Sequence, residues 1–537
     1  MRGDLGIKVN KDLMLALCLG LLCLVTRLPF ASRLLFNSDS TRFALAMTHY
    51  DVSQMRPHAP GYILYVAAAK LVNLFVHEEG ASLVAVSIIA SVMTVVGLYY
   101  LALNMFGRSN AILSAALFLS SPLVWYNGEM PFTYVLDAFF GVMFAYSCYQ
   151  IVLKNRKWIY LSAVFLGLAT GVRQSAIMVL LPLWIFALRK SPRKSVLLAV
   201  CVFALCCCTW FFPIILLSGG LEGYLGALYG QFSRVVVDPL PYLSQIKIRG
   251  TILAGFMVYS LTVGIVPMTY YCGRFFRLPF IISDARLQLM LIWVVPATLF
   301  YLGVTLYNPG QVIVILPPLF VFLSESLKAL AADVDCAAGL LMGNGRSRSL
   351  KGFPFLLNKN ILVASSVILI LAVNVWLFIF ADTAVSYDAI KSGDQQLAEH
   401  IKLTHEVRSP QKAMILACRV NTQAGYYLPD YLICCPFPLI FSRSIIPIEA
   451  QNVYFTSHHD TTPRTYWMPT DFILEPIPLP DYVDTLVVWE DEIAGFYVSD
   501  AVPLGSRMSA SGLVRIYFLK VRAGEKIYYD FHKWSVR

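Results

Sequence analysis

The feature that most constrains this chain is a series of apolar runs, many close to twenty residues long, recurring from residue 13 to residue 381. Runs of that length match the hydrocarbon core of a bilayer, so the pattern predicts a polytopic α-helical membrane protein. Composition agrees: 58% of the 537 residues are hydrophobic and only 14% charged, too few charges to coat a soluble globule of this size. A net charge of +10 does not point to nucleic acid, because Lys and Arg fall mostly in short connectors between apolar runs, where they set orientation. Eight of the twelve cysteines (Cys18, Cys23, Cys148, Cys201, Cys206, Cys207, Cys208 and Cys272) lie in or beside those runs and read as small apolar fillers. No CxxC pair or Cys/His metal spacing occurs in the sequence.

The first span, near 13–30, follows Arg2, Lys8 and Lys11 and has no small-residue cleavage site after it. It reads as an uncleaved anchor with a cytoplasmic N-terminus, which puts the loop 31–80 outside. The segment 61–76 is apolar but about sixteen residues long, and it carries Lys70. If it does not cross, the later basic clusters all fall inside: Arg108, Lys154/Arg156/Lys157, Arg189/Lys190/Arg193/Lys194, Arg274/Arg277/Arg286, and Lys328/Arg346/Arg348/Lys351/Lys359. It therefore reads as an interfacial helix. Further spans are expected at 81–106, 110–127, 131–152, 157–171, 174–188, 195–217, 250–272, 287–304, 309–326 and 360–381, about eleven in all, which leaves the C-terminus outside.

After residue 382 charge mixes with short strand-like runs at 413–418, 485–490 and 513–519, behind an amphipathic stretch near 386–405 and with Pro476, Pro478 and Pro480 between pieces. The expected organisation is a transmembrane domain over 1–382 and a small extracytoplasmic α/β domain over 383–537.

Polar groups on the outer face are sparse, so each can be weighed. The loop NSDSTRFALAMTHYDVSQMRPHAPGY (37–62) carries Asp39 at the membrane exit, then Asp51, then Arg56 and His58 in a proline-framed turn. A loop carboxylate ordinarily caps or solubilises; at a low-dielectric boundary it can also act as a general base on a hydroxyl or amine. Glu129 falls in a very short outer turn, where it reads either as a solvated loop residue or as a secondary candidate. Asp137 lies inside an apolar span, which makes it either a packing carboxylate or a functional one. Arg173, in GLATGVRQS, breaks the charge rule that the other short outer turns obey. It suits either snorkelling to headgroups or a fork-shaped clamp on a phosphate. The loop 218–249 adds Tyr224, Tyr229, Arg234, Asp238 and Tyr242, and Tyr307 opens the later turn YNPGQ.

These segments resemble the C-type-fold integral-membrane glycosyltransferases, in particular the family-39-like group of protein O-mannosyltransferases and aminoarabinose transferases. Asp39, Tyr50-Asp51 and the turn Arg56–Tyr62 carry the likeness, which continues through SPLVWYNGEMPFTYVLDAFF (121–140), GLATGVRQSAIMVLLPLW (167–184) and YNPGQVIVILPPL (307–319), covering about the first 330 residues. The resemblance implies a polyprenyl-phosphate sugar donor and inverting transfer, at the outer face of what would be a bacterial inner membrane. The acceptor would be a protein, lipid or glycan in contact with membrane lipid. Asp39 would match the catalytic acidic residue and Arg173 a basic residue near the lipid phosphate, with Asp51, Arg56 and His58 positioning the acceptor or shaping the loop. A divalent metal would assist at the phosphate, although no ligand spacing commits the sequence to one. The chain departs from the pattern at Asp39-Ser40 (relatives often have an acidic pair), at His58-Ala59-Pro60 (for His-Pro-Pro) and at Gln311 (for Arg or Lys). A transporter or flippase for a lipid-linked precursor, or a catalytically silent scaffold, are the competing readings. Against the transporter, polar groups here concentrate in outer loops rather than at the membrane midplane.

Overall fold

A computed structural model describes residues 10–236, 242–275, 284–343, 359–407, 410–417, 420–434, 453–455, 464–466, 477–490, 497–498, 502–522 and 526–528. Arg2, Lys8, Asp238, Arg277, Arg346, Arg348, Lys351 and Pro476, which the sequence reading uses, lie outside the described residues.

The first helices are α1 (Lys11–Arg27), α2 (Ser38–Thr48), α3 (Ile63–Val76), α4 (Glu79–Phe106), α5 (Arg108–Ser120), α6 (Pro122–Glu129) and α7 (Tyr134–Val152). They continue as α8 (Trp158–Val172), α9 (Ala176–Leu188), α10 (Arg193–Leu217), α11 (Gly220–Val236), α12 (Tyr242–Leu261) and α13 (Ile265–Phe275). The last are α14 (Ala285–Gly303), α15 (Leu316–Gly343), α16 (Lys359–Ile379), α17 (Tyr387–Val407) and α18 (Asn421–Tyr427).

Eight stretches among the described residues are long and apolar enough to cross a membrane: Lys11–Phe30, α4, α7, α10, Tyr242–Gly273, α14, Pro309–Val334 and α16. The pair α5 and α6, bent by 62° at Ser121–Pro122, is a broken span or a re-entrant loop and makes a ninth when counted as one span. The expectation of eleven included α8 and α9. Their 15 and 13 residues reach only about 22 and 20 Å at about 1.5 Å per residue, short of a core of about 30 Å. The 14-residue α3 is short for the same reason. A second difference concerns 218–249, expected as a loop: most of it is α11 and the start of α12. With α12, a 3-10 turn and α13 in series, the span predicted at 250–272 begins earlier, at Tyr242.

The chain forms two units. The helical unit comprises Met1–Ala31, Pro60–Leu217 and Leu240–Ile390; the mixed unit comprises Ser32–Ala59, Ser218–Pro239 and Lys391–Arg537. Hydrogen bonds between helices supplement apolar packing in the helical unit. Thr262 donates to Asn374 at 2.8 Å, and Asn374 to Ser120 at 3.1 Å. With no water to compete, such pairs fix helix register.

In the mixed unit the main sheet has strands β1 (Ala413–Leu416), β2 (Leu432–Cys434), β6 (Thr485–Val488), β8 (Val502–Met508) and β9 (Arg515–Lys520), in the order β2-β1-β6-β9-β8. The remaining pairs are β3 (Val453–Phe455) with β4 (Arg464–Tyr466), and β10 (Lys526–Tyr528) with both β5 (Ile477–Pro478) and β7 (Tyr497–Val498). β1 runs parallel to β2 and β6, with Ile415 opposite Ile433 and Val487, and β9 pairs antiparallel with β6 and β8. β1 and β6 are buried along their whole length, as a parallel strand covered on both faces must be. Leu397 and Leu403 of α17, with Ala424 of α18, close one face over Ile415, Val487, Trp489 and Phe518.

Candidate active site

Asn37 caps α2, its side chain accepting the Asp39 N–H at 2.9 Å. This sets Asp39 in the first turn, where a negative charge is favoured by the helix dipole. The Asp39 side chain stays 35% exposed, and its Oδ1 lies 3.5 Å from His58 Nδ1 and 3.8 Å from Arg42 Nη1. Asp51 is different. It is buried, and its carboxylate accepts from both the Ser53 N–H (2.9 Å) and the Ser53 hydroxyl (2.6 Å). Its backbone exchanges two hydrogen bonds with Arg56, at 2.7 and 2.9 Å, closing the turn that ends in a cis Arg56–Pro57 bond. Burial lowers the pKa of the Arg56 guanidinium, opposed by the Asp51 charge, and burial pushes the Tyr50 phenol up. Asp39 is thus an accessible carboxylate with two cationic or polar neighbours, and Asp51 a carboxylate committed to its own turn.

A second polar cluster lies in the helical unit. α8 ends at Arg173, which turns extended (φ −151°, ψ 108°), and its guanidinium is buried. Arg173 Nε sits 3.9 Å from Asp137 Oδ2, Nη1 donates to the Thr133 hydroxyl at 3.5 Å, and the guanidinium carbon stands 4.8 Å from the Tyr134 ring centre. Asp137 occupies the first turn of α7 and is 4% exposed. The Tyr134 ring packs so tightly on Gly310 that any Cβ there would overlap it. The turn that carries Gly310 is locked by its own side chains: Gln311 accepts from the Tyr307 and Asn308 N–H groups at 2.8 and 3.1 Å, and Asn308 accepts from Gly310 N–H at 2.9 Å. Gln311 therefore builds the turn. Tyr307 itself is largely exposed.

Two expectations change. Arg173 does not snorkel to a surface; its charge is held inside the helical unit with Asp137. Glu129 is fully buried rather than solvated, because WYNGE continues the helix from Pro122 and turns the carboxylate inward, within electrostatic reach of the buried Arg27. Sequence reading passes over Arg27 and Arg249. Arg27 is fully buried, donates to the Leu119 carbonyl and stands 5.0 Å from the Trp125 ring centre. Arg249 donates to Gln245 and to the Leu302 and Gly303 carbonyls, 6.0 Å from the Tyr307 ring centre. The available signal was a lone Arg within or beside an apolar run, the same signal that singled out Arg173.

Among the described residues no three His, Cys, Asp or Glu side chains converge as a metal-holding group.

Residues 58–215 match the family described as dolichyl-phosphate-mannose-protein mannosyltransferase. That stretch contains His58, Glu129, Asp137 and Arg173 and leaves out Asp39, Asp51 and Tyr307. Among solved structures the chain is similar to ArnT from Cupriavidus metallidurans bound to undecaprenyl phosphate, at 12% identity and a TM-score of 0.52, over 95% of this chain and 97% of that one. The same protein in its apo state gives a TM-score of 0.53 at 11% identity, with the same coverage. The Archaeoglobus fulgidus oligosaccharyltransferase, tethered to an acceptor peptide containing the NVT sequon, aligns at 12% identity with a TM-score of 0.51, over 79% of this chain and 64% of that one. A comparison with curated protein sequences finds no match. The fold is that of the C-type integral-membrane glycosyltransferases, with a small C-terminal sheet region, and the matched family and structural neighbours are glycosyltransferases.

Proposed function

We propose that the protein transfers a sugar from a polyprenyl-phosphate donor to a hydroxyl or amine acceptor at the extracytoplasmic face of the membrane, with inversion. The bond from the sugar's anomeric carbon to the phosphate oxygen breaks, and the acceptor oxygen or nitrogen bonds to that carbon from the opposite side. The acceptor proton passes to Asp39, and polyprenyl phosphate leaves with the electron pair. Asp39 is the base because, of the two loop carboxylates, it is the more accessible one, while Asp51 is buried and its Oδ1 accepts both hydrogen bonds from Ser53. His58 orients the Asp39 carboxylate from 3.5 Å, and Asp51 with Arg56 holds the turn that presents His58. Arg173 serves the departing phosphate, a task suited to a guanidinium whose charge persists when desolvated. Asp137, Thr133 and Tyr134 fix its direction. Glu129 and Tyr307 have supporting roles at most: the first is sealed in the helical unit, and the second is an exposed ring beside Arg249. The fold shared with ArnT, whose structure holds undecaprenyl phosphate, supports a lipid-phosphate donor. The observation that carries the reading is the partly exposed Asp39 carboxylate at the start of α2.

The test offers purified full-length protein a panel of radiolabelled polyprenyl-phosphate sugars together with extracted membrane acceptors. The proposal predicts label moving to acceptor with release of polyprenyl phosphate. Tight binding of every donor that binds, with no label transferred, would overturn it in favour of a carrier or scaffold.

A further inference from the structure

Residues 32–36 join the first span to the helix that bears Asp39, and within the mixed unit their polar groups are taken up one after another by the C-terminal part of the chain. Asp394 of α17 accepts from the Ser32 hydroxyl at 3.2 Å, from the Arg33 N–H at 2.8 Å and from the Leu34 N–H at 2.9 Å. The Tyr427 hydroxyl of α18 accepts from the Leu35 N–H at 2.7 Å. The Gln423 amide donates to the Phe36 carbonyl at 2.8 Å. The Phe36 ring lies so close over Gly393 that a Cβ there would stand 2.6 Å from the ring. The register then passes forward: the Thr41 hydroxyl of α2 donates to the Leu35 carbonyl at 2.9 Å. A surface connector ordinarily leaves such groups to water. Here three consecutive N–H groups and the carbonyl after them have side-chain partners from α17 and α18.

We propose that Asp394, Tyr427 and Gln423 are positioning residues: the C-terminal domain acts on the reaction by holding 32–36 in the register that fixes Asp39. This rests on the reading of Asp39 as the base, whereas the clamp itself is a matter of geometry. A clamp of this kind should affect how Asp39 meets the acceptor and leave capture of the donor alone. A misplacement of about 1 Å can cost about a hundredfold in rate.

The experiment uses the full-length protein in lipid nanodiscs as wild type, Asp394→Ala, Asp394→Asn, Tyr427→Phe and, as a control on the exposed side of α17, Lys402→Ala. Amide exchange over 33–45, donor binding and steady-state transfer are measured on each. Asp394→Ala is expected to raise exchange over 33–45 and lower kcat by about a hundredfold with the donor KM unchanged. Asp394→Asn, which keeps one acceptor oxygen, should fall between it and wild type, and Lys402→Ala should match wild type. If Asp394→Ala does not fold, Tyr427→Phe, which removes a single hydroxyl, carries the same comparison with a smaller change. Unchanged exchange over 33–45, an unchanged kcat, or a loss confined to donor KM would each overturn the proposal. Wild-type protein that transfers no sugar would instead defeat the transferase reading. The exchange contrast between wild type and Asp394→Ala would then still support the clamp or overturn it.

Discussion

Asp39 and Asp51 lie twelve residues apart in one loop, and their surroundings give them different chemistry. Asp51 is buried with Oδ1 accepting two bonds from Ser53, while Asp39 keeps a partly exposed side chain beside His58 and Arg42. In the sequence only the family resemblance ranks Asp39 above Asp51, because residue type and loop position are alike for both, whereas the difference in burial and hydrogen bonding arises on folding. The Arg173–Asp137 pair raises a different residue-scale question. Removing one member of a buried pair strands the other charge, at a cost of about 3–5 kcal/mol, whereas removing both is far milder. Arg173→Gln should therefore lower Tm markedly, and the double variant Arg173→Gln/Asp137→Asn should recover most of that loss. Donor binding should recover in neither, since the proposed phosphate partner is absent from both. Thermal unfolding and donor titration on the three proteins would check this, and donor binding restored in the double variant would remove Arg173 from the phosphate site.

The turn between α14 and α15 matters for what it supports. Asn308 and Gln311 lock its backbone, and Gly310 makes room for the Tyr134 ring, which in turn stacks with Arg173. Gly310→Ala should cost about 1–3 kcal/mol by overpacking and weaken donor binding, while Asp39 and its loop keep their wild-type amide exchange. Calorimetry with donor titration and exchange mapping would separate those effects. Much at this level was legible in the sequence. The apolar runs gave most spans to within a few residues, and the strand-like runs at 413–418, 485–490 and 513–519 overlap β1, β6 and β9. The misses have physical causes. The helix continues through the turn signal Asn127-Gly128 because Gly128 sits tight against Ser91 and Arg27, so Glu129 is buried, and Gly220–Val236 is helical despite its glycines. The bond between Asp394 and Leu34 joins residues 360 apart, a pairing that no local pattern encodes.

At the scale of the whole molecule, the helical unit contains the buried Arg173–Asp137 pair, and the mixed unit contains the partly exposed Asp39 after a segment hydrogen-bonded by α17 and α18. The C-type fold, shared with proteins less than 15% identical, accounts for the frame. The chemistry rests on individual side chains, as it must when one fold hosts many activities. The most direct test is a single-turnover comparison of wild type with Asp39→Asn at saturating donor. The account predicts that Asp39→Asn binds donor as wild type does and transfers its sugar about a thousandfold more slowly, the loss expected when a general base is removed. Transfer at the wild-type rate by Asp39→Asn would contradict it.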